Sequence, residues 1–97
     1  MICVFHPHAE AEHLEAIAYY ESRRPGIGAR YLAEFERALT EACQTPEHFP
    51  IERKPDIRRV RLPRFPITIL FRTANNNIEV LAVAHQRRRP AYWLGRL

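Results

Sequence analysis

Two apolar runs separated by a polar turn occupy residues 67–84, ITILFRTANNNIEVLAVA. The first run, Ile67–Phe71, is rich in β-branched residues and apolar on both faces, as expected of a buried strand. The second run, Ile78–Ala84, also places apolar side chains on both faces. Residues 74–77 form the turn, because asparagine tolerates positive φ and hydrogen-bonds to its own backbone. The segment is therefore predicted to be an antiparallel β-hairpin.

Two further strands are predicted outside this hairpin. Residues 59–62 alternate arginine with valine or leucine, which indicates a strand with one polar face carrying Arg59 and Arg61. The chain also opens with a short apolar run, Ile2–Phe5. The intervening residues 46–55 contain three prolines, at positions 46, 50 and 55, and are expected to be irregular.

Residues 8–45 have the periodicity of two amphipathic helices. The first helix is predicted over about residues 8–23, with an apolar stripe formed by Ala11, Leu14, Ile17 and Ala18. The second helix has the same three- and four-residue spacing, carried by Ile27, Tyr31, Leu32, Phe35, Ala38, Leu39, Ala42 and Cys43. The turn at Pro25-Gly26 joins them, which predicts an antiparallel helical hairpin.

The order of elements predicts an α+β fold of the type β-α-α-β-β-β. Each helix has one apolar stripe, so the hairpin is expected to cover one face of a mostly antiparallel sheet in two layers. The 97 residues suffice for a single domain, residues 1–97. The apolar runs are too short to span a membrane, and a cytoplasmic location is expected. The two cysteines, Cys3 and Cys43, are expected to be buried thiols.

The net charge of +4 is distributed unevenly along the chain. Residues 1–50 hold eight acidic residues and four arginines, a net −4, whereas residues 51–97 hold eleven basic and three acidic residues, a net +8. Fourteen of the fifteen basic residues are arginine, whose planar guanidinium suits bidentate contacts with phosphates and carboxylates. The basic half therefore predicts a polyanionic partner, either nucleic acid or an acidic protein segment.

The C-terminal segment combines positive charge with aromatic side chains. Arg87, Arg88 and Arg89 stand directly before Tyr92 and Trp93. Arginines can bind phosphates and aromatic rings can stack on exposed bases, so the segment is a candidate binding surface. The alternative is a solvated run of charge whose aromatic residues pack back on the body of the protein.

The whole pattern resembles the RelE/ParE superfamily of small bacterial toxins from type II toxin–antitoxin modules, also called plasmid stabilisation proteins. The resemblance rests on the helix from Ala9 to Glu21, the Pro25-Gly26 turn, and the segments 57–59 (IRR), 64–66 (RFP) and 83–93 (VAHQRRRPAYW). It covers nearly the full chain. The resemblance implies a growth-inhibiting toxin that is held silent by a cognate acidic antitoxin, a separate chain that folds onto the basic surface.

The superfamily divides by target. RelE-like members cut messenger RNA on the ribosome without a metal, and ParE-like members inhibit DNA gyrase. For a RelE-like enzyme, the resemblance assigns the catalytic surface to Arg59, Arg61, Tyr92 and, as a substitute acid or base, His85. Two positions depart from the RelE-like pattern, because Thr68 and Gln86 stand where arginines are expected. His85 has a second interpretation, in which it closes the last strand by hydrogen bonding to the C-terminal segment.

These departures favour a ParE-like toxin that acts by binding DNA gyrase rather than as an enzyme. Its target-binding surface is predicted to comprise Arg87, Arg88, Arg89, Tyr92 and Trp93. A ribosome-dependent messenger RNA endonuclease and a plain nucleic-acid-binding module remain as alternatives. No cofactor and no metal are expected, since His6, His8 and His13 lack the further ligands of a metal site and are expected to cap the first helix or face solvent.

Overall fold

The computed structural model describes residues 2–97 and has the predicted order of helices and strands, with one additional short strand after the second helix. The strands are β1 (Ile2–Phe5), β2 (Ile51–Arg53), β3 (Ile57–Arg61), β4 (Ile67–Ala74) and β5 (Asn77–His85). The α-helices are α1 (Pro7–Arg23) and α2 (Ile27–Gln44), and short 3-10 helices lie at Pro46–His48 and Tyr92–Arg96. Neither α-helix is long and apolar enough to cross a membrane.

The five strands form one mixed sheet in the order β1-β5-β4-β3-β2. β1 runs parallel to β5, and the other neighbours are antiparallel. The β4–β5 hairpin turns through Asn75 and Asn76, which both have positive φ, as the asparagine run predicts. The predicted α+β class, with a helical hairpin on a mostly antiparallel sheet, is confirmed.

The prediction for residues 46–55 is wrong, because a 3-10 helix and the short strand β2 form there. Pro46 occupies the first position of the 3-10 helix, where its missing N–H is no loss. β2 is three residues long and pairs with β3 at the edge of the sheet. Prolines are tolerated beside an edge strand, because one side of that strand needs no ladder hydrogen bonds.

A glutamate on α1 stabilises the turn between the two helices. The Glu21 carboxylate accepts hydrogen bonds from the N–H groups of Gly26, at 3.1 Å, and Gly28, at 2.9 Å. Gly26 has φ +92°, which favours glycine, and a Cβ on Gly28 would lie only 2.8 Å from a Glu21 oxygen. The two glycines and Glu21 thus fix the start of α2.

The buried face of α1 differs from the predicted stripe. Leu14 is 60% exposed, and Ala11 and Ala18 are also exposed. Of the predicted stripe only Ile17 faces inward, together with Ala9, Glu12, His13, Ala16 and Tyr20. His13, which was expected to cap the helix or face solvent, stacks on Phe35 with ring centroids 4.1 Å apart. The helix is therefore rotated so that two polar side chains, Glu12 and His13, are partly buried together with the apolar ones.

Side chains from both faces of the sheet are buried. On the helix side, α2 contributes Tyr31, Phe35, Ala38 and Ala42, which confirms its predicted stripe, and the strands contribute residues such as Ile69, Phe71 and Val80. On the opposite side, a smaller cluster contains Ile57, Leu70, Leu81, Ala82 and Trp93. The second cluster places the C-terminal segment against the sheet.

Cys3 on β1 and Cys43 on α2 are free, half-buried thiols that lie next to each other. Burial and the neighbouring Cys43 thiol raise the pKa of Cys3 to about 12. The Cys3 thiol therefore stays protonated near neutral pH and packs as a small apolar group, as expected.

Candidate binding cleft

A cleft of about 410 Å³ lies on the face of the sheet opposite the helices. Strands β3 and β4 form one side, and the segment that follows β5 forms the other. Seven of the eight site residues predicted from the sequence line it together: Arg59, Arg61, His85, Arg88, Arg89, Tyr92 and Trp93. Arg87 is the exception, since it lines an adjoining groove beside Tyr19 and Tyr20 of α1.

Four arginines give the cleft a positive charge. Arg59 and Arg61 project from β3 on the face that the period-two alternation predicts, because Val60 and Leu62 are buried on the helix side. Arg59 donates to the Glu52 carboxylate at 3.1 Å, in an ion pair in which both side chains are partly exposed. Arg88 and Arg89 are exposed on the opposite wall. The arginines therefore approach the cleft from both walls, and one of them, Arg59, is paired with a carboxylate.

The hydroxyl of Tyr92 is hydrogen-bonded to a carboxylate on α1. Its hydroxyl donates to Glu12 Oε2 at 2.7 Å, and burial together with the Glu12 carboxylate raises the pKa of Tyr92. The Arg88 guanidinium lies over the Tyr92 ring, 3.9 Å from its centroid, within the range of a cation–π contact. Tyr92 thus supports an arginine of the cleft wall while its hydroxyl is engaged elsewhere.

Glu12 and Arg96 were not predicted as site residues. Burial would raise the pKa of Glu12, but hydrogen bonds from Arg96, Tyr92 and the Val83 N–H outweigh it and hold this pKa below its usual value. Glu12 lies three residues after buried Ala9 and four before Ala16, so helical spacing places it on the inner face. That spacing was the one signal available in the sequence, since its partners lie more than 70 residues away.

A profile of the ParE toxin of the type II toxin–antitoxin system parDE matches residues 3–90. The chain belongs to the ParE toxin family. The resemblance noted in the sequence is confirmed, and membership implies a cognate antitoxin as partner. A solved structure described as the chromosomal ParDE toxin–antitoxin system from P. aeruginosa superimposes on this ParE-family chain with a TM-score of 0.75 and 17% identity, covering 88% of this chain and 95% of the other. No curated protein sequence matches this chain.

The match to the ParE family ends before two residues that line the cleft, Tyr92 and Trp93, and before Arg96, which binds Glu12. Tyr92, Trp93 and Arg96 lie beyond residue 90, where the family profile stops. Trp93 is 4% exposed, so in this ParE-family chain its indole anchors the C-terminal segment on the sheet from below. The indole thus belongs to the floor of the cleft rather than to its exposed rim.

The two positions that depart from the RelE-like pattern also lie at the cleft. Thr68 on β4 pairs with Arg61 on β3, and Gln86 follows the end of β5. His85, the last residue of β5, accepts a hydrogen bond at Nδ1 from the Arg87 N–H at 3.1 Å. The cleft of this ParE-family chain therefore contains a threonine and a glutamine among its arginines, and a histidine that organises the following turn. Among residues 2–97, no group of three or more side chains is arranged to hold a metal ion.

Proposed function

We propose that this ParE-family chain is a growth-inhibiting toxin that binds DNA gyrase through the arginine-lined cleft and is neutralised by a cognate acidic antitoxin. The observation that carries this proposal is the placement of arginines on both walls of the cleft, Arg61 on one and Arg88 and Arg89 on the other. The Tyr92 hydroxyl donates to Glu12 on α1, which speaks against a nuclease. A tyrosine bonded in this way supports the neighbouring Arg88 but has no free hydroxyl for proton transfer in the cleft.

Cleavage of RNA makes chemical demands that this cleft meets poorly. The reaction needs a base for the 2′-hydroxyl, cations for the crowded phosphate and an acid for the leaving oxygen. Thr68 and Gln86 supply no charge, and each missing electrostatic group in such a site costs about 10²–10³ in rate. Binding of an acidic protein surface needs only the arginines, which are present on both walls.

The same arginines suit an acidic antitoxin segment. A disordered acidic chain that folds onto a basic surface loses conformational entropy but can cover a large area. The cleft between β3 and the C-terminal segment offers opposed arginines, Arg61 on one wall and Arg88 and Arg89 on the other, to such a chain. We therefore expect the antitoxin and the target to compete for this surface.

The target is tested with two assays in parallel, gyrase-dependent DNA cleavage and ribosome-dependent messenger RNA cleavage. The wild-type chain is expected to trap cleaved DNA in the presence of gyrase, and Arg88→Ala to weaken this effect about tenfold, by loss of one charged contact. Arg30→Ala is the matched control, because Arg30 is exposed on α2. Absence of any gyrase effect from a toxin that still arrests growth would overturn the choice of target.

A second candidate, the RelE-like nuclease, is favoured by one observation: His85 lies in the cleft together with Arg59 and Arg61. If this candidate is correct, transcripts are cut in the ribosomal A site, and His85→Ala or Tyr92→Phe abolishes the cuts. Messenger RNA that remains intact while growth stops would exclude it.

The plain nucleic-acid-binding module and the antitoxin are tested by expression. Induction of the chain alone in a bacterium is expected to arrest growth, and co-expression of the neighbouring gene to relieve the arrest. Salt-sensitive binding to naked nucleic acid without growth arrest would favour the binding module instead.

A further inference from the structure

The C-terminal segment is joined to α1 by a nearly buried ion pair. The side chains of Glu12 and Arg96 are 13% and 11% exposed. Arg96 binds both carboxylate oxygens, with Nη1 donating to Oε1 and Nη2 to Oε2, each at 2.9 Å. Such bidentate geometry is the strongest form of this contact and fixes the orientation of both groups.

Three further hydrogen bonds complete this cluster. Glu12 accepts from the Tyr92 hydroxyl at 2.7 Å and from the Val83 N–H of β5 at 3.0 Å. Arg96 also donates to the Leu81 carbonyl at 3.0 Å. One carboxylate therefore connects a helix, the interior strand β5 and both ends of the C-terminal 3-10 helix.

We infer that Glu12 is a positioning residue for the binding cleft: by holding Tyr92 and Arg96 it fixes the wall that carries Arg88 and the floor formed by Trp93. This inference rests on the proposed function of the cleft. Glu12 reaches the binding surface through Tyr92, because a hydrogen-bonded hydroxyl fixes the direction of the ring on which Arg88 lies.

The chemistry of the cluster supports a positioning role over simple stabilisation. Relative to apolar side chains of similar size, a buried ion pair adds little net stability, because desolvation of both charges offsets their attraction; apolar side chains would hold the segment as well. What hydrogen bonds supply and apolar contacts do not is direction. The helix-side core does not include the 3-10 helix, so release of the C-terminal segment would leave most of the fold in place.

Trp93 is the only tryptophan of the sequence and lies within this segment, so its fluorescence reports whether the segment is docked. Glu12→Gln is expected to expose Trp93, with a red-shifted emission and greater quenching by acrylamide, while far-ultraviolet circular dichroism keeps the helical signal. Glu15→Gln, an exposed position on the same helix, is the matched control and leaves Trp93 protected. Tyr92→Phe removes only one hydrogen bond and replaces Glu12→Gln if that variant does not fold.

A double-mutant cycle with DNA gyrase separates positioning from general stability. Arg88→Ala is expected to weaken gyrase binding about tenfold in the wild-type background and less than about twofold in the Glu12→Gln background, since Arg88 is already displaced there. The inference would be overturned if Arg88→Ala weakened gyrase binding by the same factor in both backgrounds. It would also be overturned if Trp93 stayed protected from acrylamide in Glu12→Gln. If the wild-type chain does not bind gyrase, the proposed target is wrong, and Trp93 quenching still decides whether Glu12 holds the segment.

Discussion

The two faces of the sheet are covered by different means. The helix face carries the larger core, in which Tyr31 and Phe35 of α2 are almost completely buried against the strands. The cleft face carries a five-residue cluster, covered by one short segment that a carboxylate holds in place. Burial of apolar surface is the main favourable contribution to folding, and it grows in proportion to the area removed from water. Charged groups at a surface contribute more to specificity and association rate. The difference places most of the stabilising apolar burial on the helix face and leaves exposed arginines on the cleft face.

The largest expected effect comes from a truncation on the helix face. Phe35→Ala is expected to lower the free energy of unfolding by about 3–5 kcal/mol, because it removes a buried ring and leaves a cavity. Urea denaturation followed by circular dichroism measures this loss. Leu14→Ala, at a position 60% exposed, is the control and should change stability by less than about 0.5 kcal/mol. A similar loss in both variants would contradict the assignment of the α1 faces.

A truncation on the cleft face should cost less and act locally. Trp93→Ala is expected to lower the free energy of unfolding by about 3 kcal/mol, the low end of the range for a buried aromatic ring, since the ring packs on the smaller cluster. Amide hydrogen exchange should show loss of protection in residues 86–97, with α1 and α2 still protected. If the helices lose protection to the same extent, the two faces are not energetically separate.

The two faces should also respond to acid in different pH ranges. Burial lowers the pKa of His13 below 6.5, although the nearby carboxylates of Glu36 and Glu10 oppose this. As the pH falls, His13 is therefore protonated in the unfolded chain before it is protonated in the folded protein. The stability contributed by neutral His13 is lost as the pH falls from 6.5 toward the folded pKa. For Glu12, burial raises the pKa, but its hydrogen bonds lower it by more, so that the pKa lies below 4.5. Its contribution is complete above pH 4.5 and is lost below that pH.

Stability curves from pH 8 to pH 3 test this separation. The difference between wild type and His13→Phe should change between pH 6.5 and the folded pKa of His13, and the difference between wild type and Glu12→Gln only below pH 4.5. Difference curves that change over the same range would show that the two groups do not titrate independently.

The smallest expected effect concerns an ion pair at the cleft. Glu52→Gln should change the free energy of unfolding by less than about 1 kcal/mol, because the Arg59–Glu52 pair is partly exposed to solvent. The substitution removes the carboxylate that neutralises Arg59, so binding to an acidic partner should become tighter. Parallel urea denaturation and binding measurements check both statements; a stability loss above about 1 kcal/mol, or binding that does not tighten, would contradict them.

The strands and the helical hairpin could be predicted because their signals are local. The β4–β5 hairpin follows from two apolar runs and asparagines that accept positive φ, and α2 follows from its regular apolar spacing. The strand β2 could not be predicted, since three residues between prolines give no periodicity and its pairing depends on β3. The hydrogen bonds that define β2 form only when β3 lies beside it in the folded protein.

The inner face of α1 and the carboxylate of the cleft could not be predicted for a related reason. Leu14 is more apolar than Glu12, so hydropathy alone turns the helix the wrong way. Glu12 is buried because donors at Val83, Tyr92 and Arg96 satisfy it, and these come close only when the sheet and the C-terminal segment are in place. The arginines of the cleft, by contrast, could be predicted from the alternation along β3 and from their run after β5.

The parallel pairing of β1 with β5 has a consequence for synthesis of the chain. α1 and α2 contact each other over a short sequence separation and can associate once residues 7–44 have been made. Ile2, however, pairs with Asn77, and Glu12 meets Arg96 across 84 positions. Loops of this length close late, and translation supplies their second halves last. A growing polypeptide therefore has its helical scaffold early but acquires the completed basic surface only when Arg96 has been added.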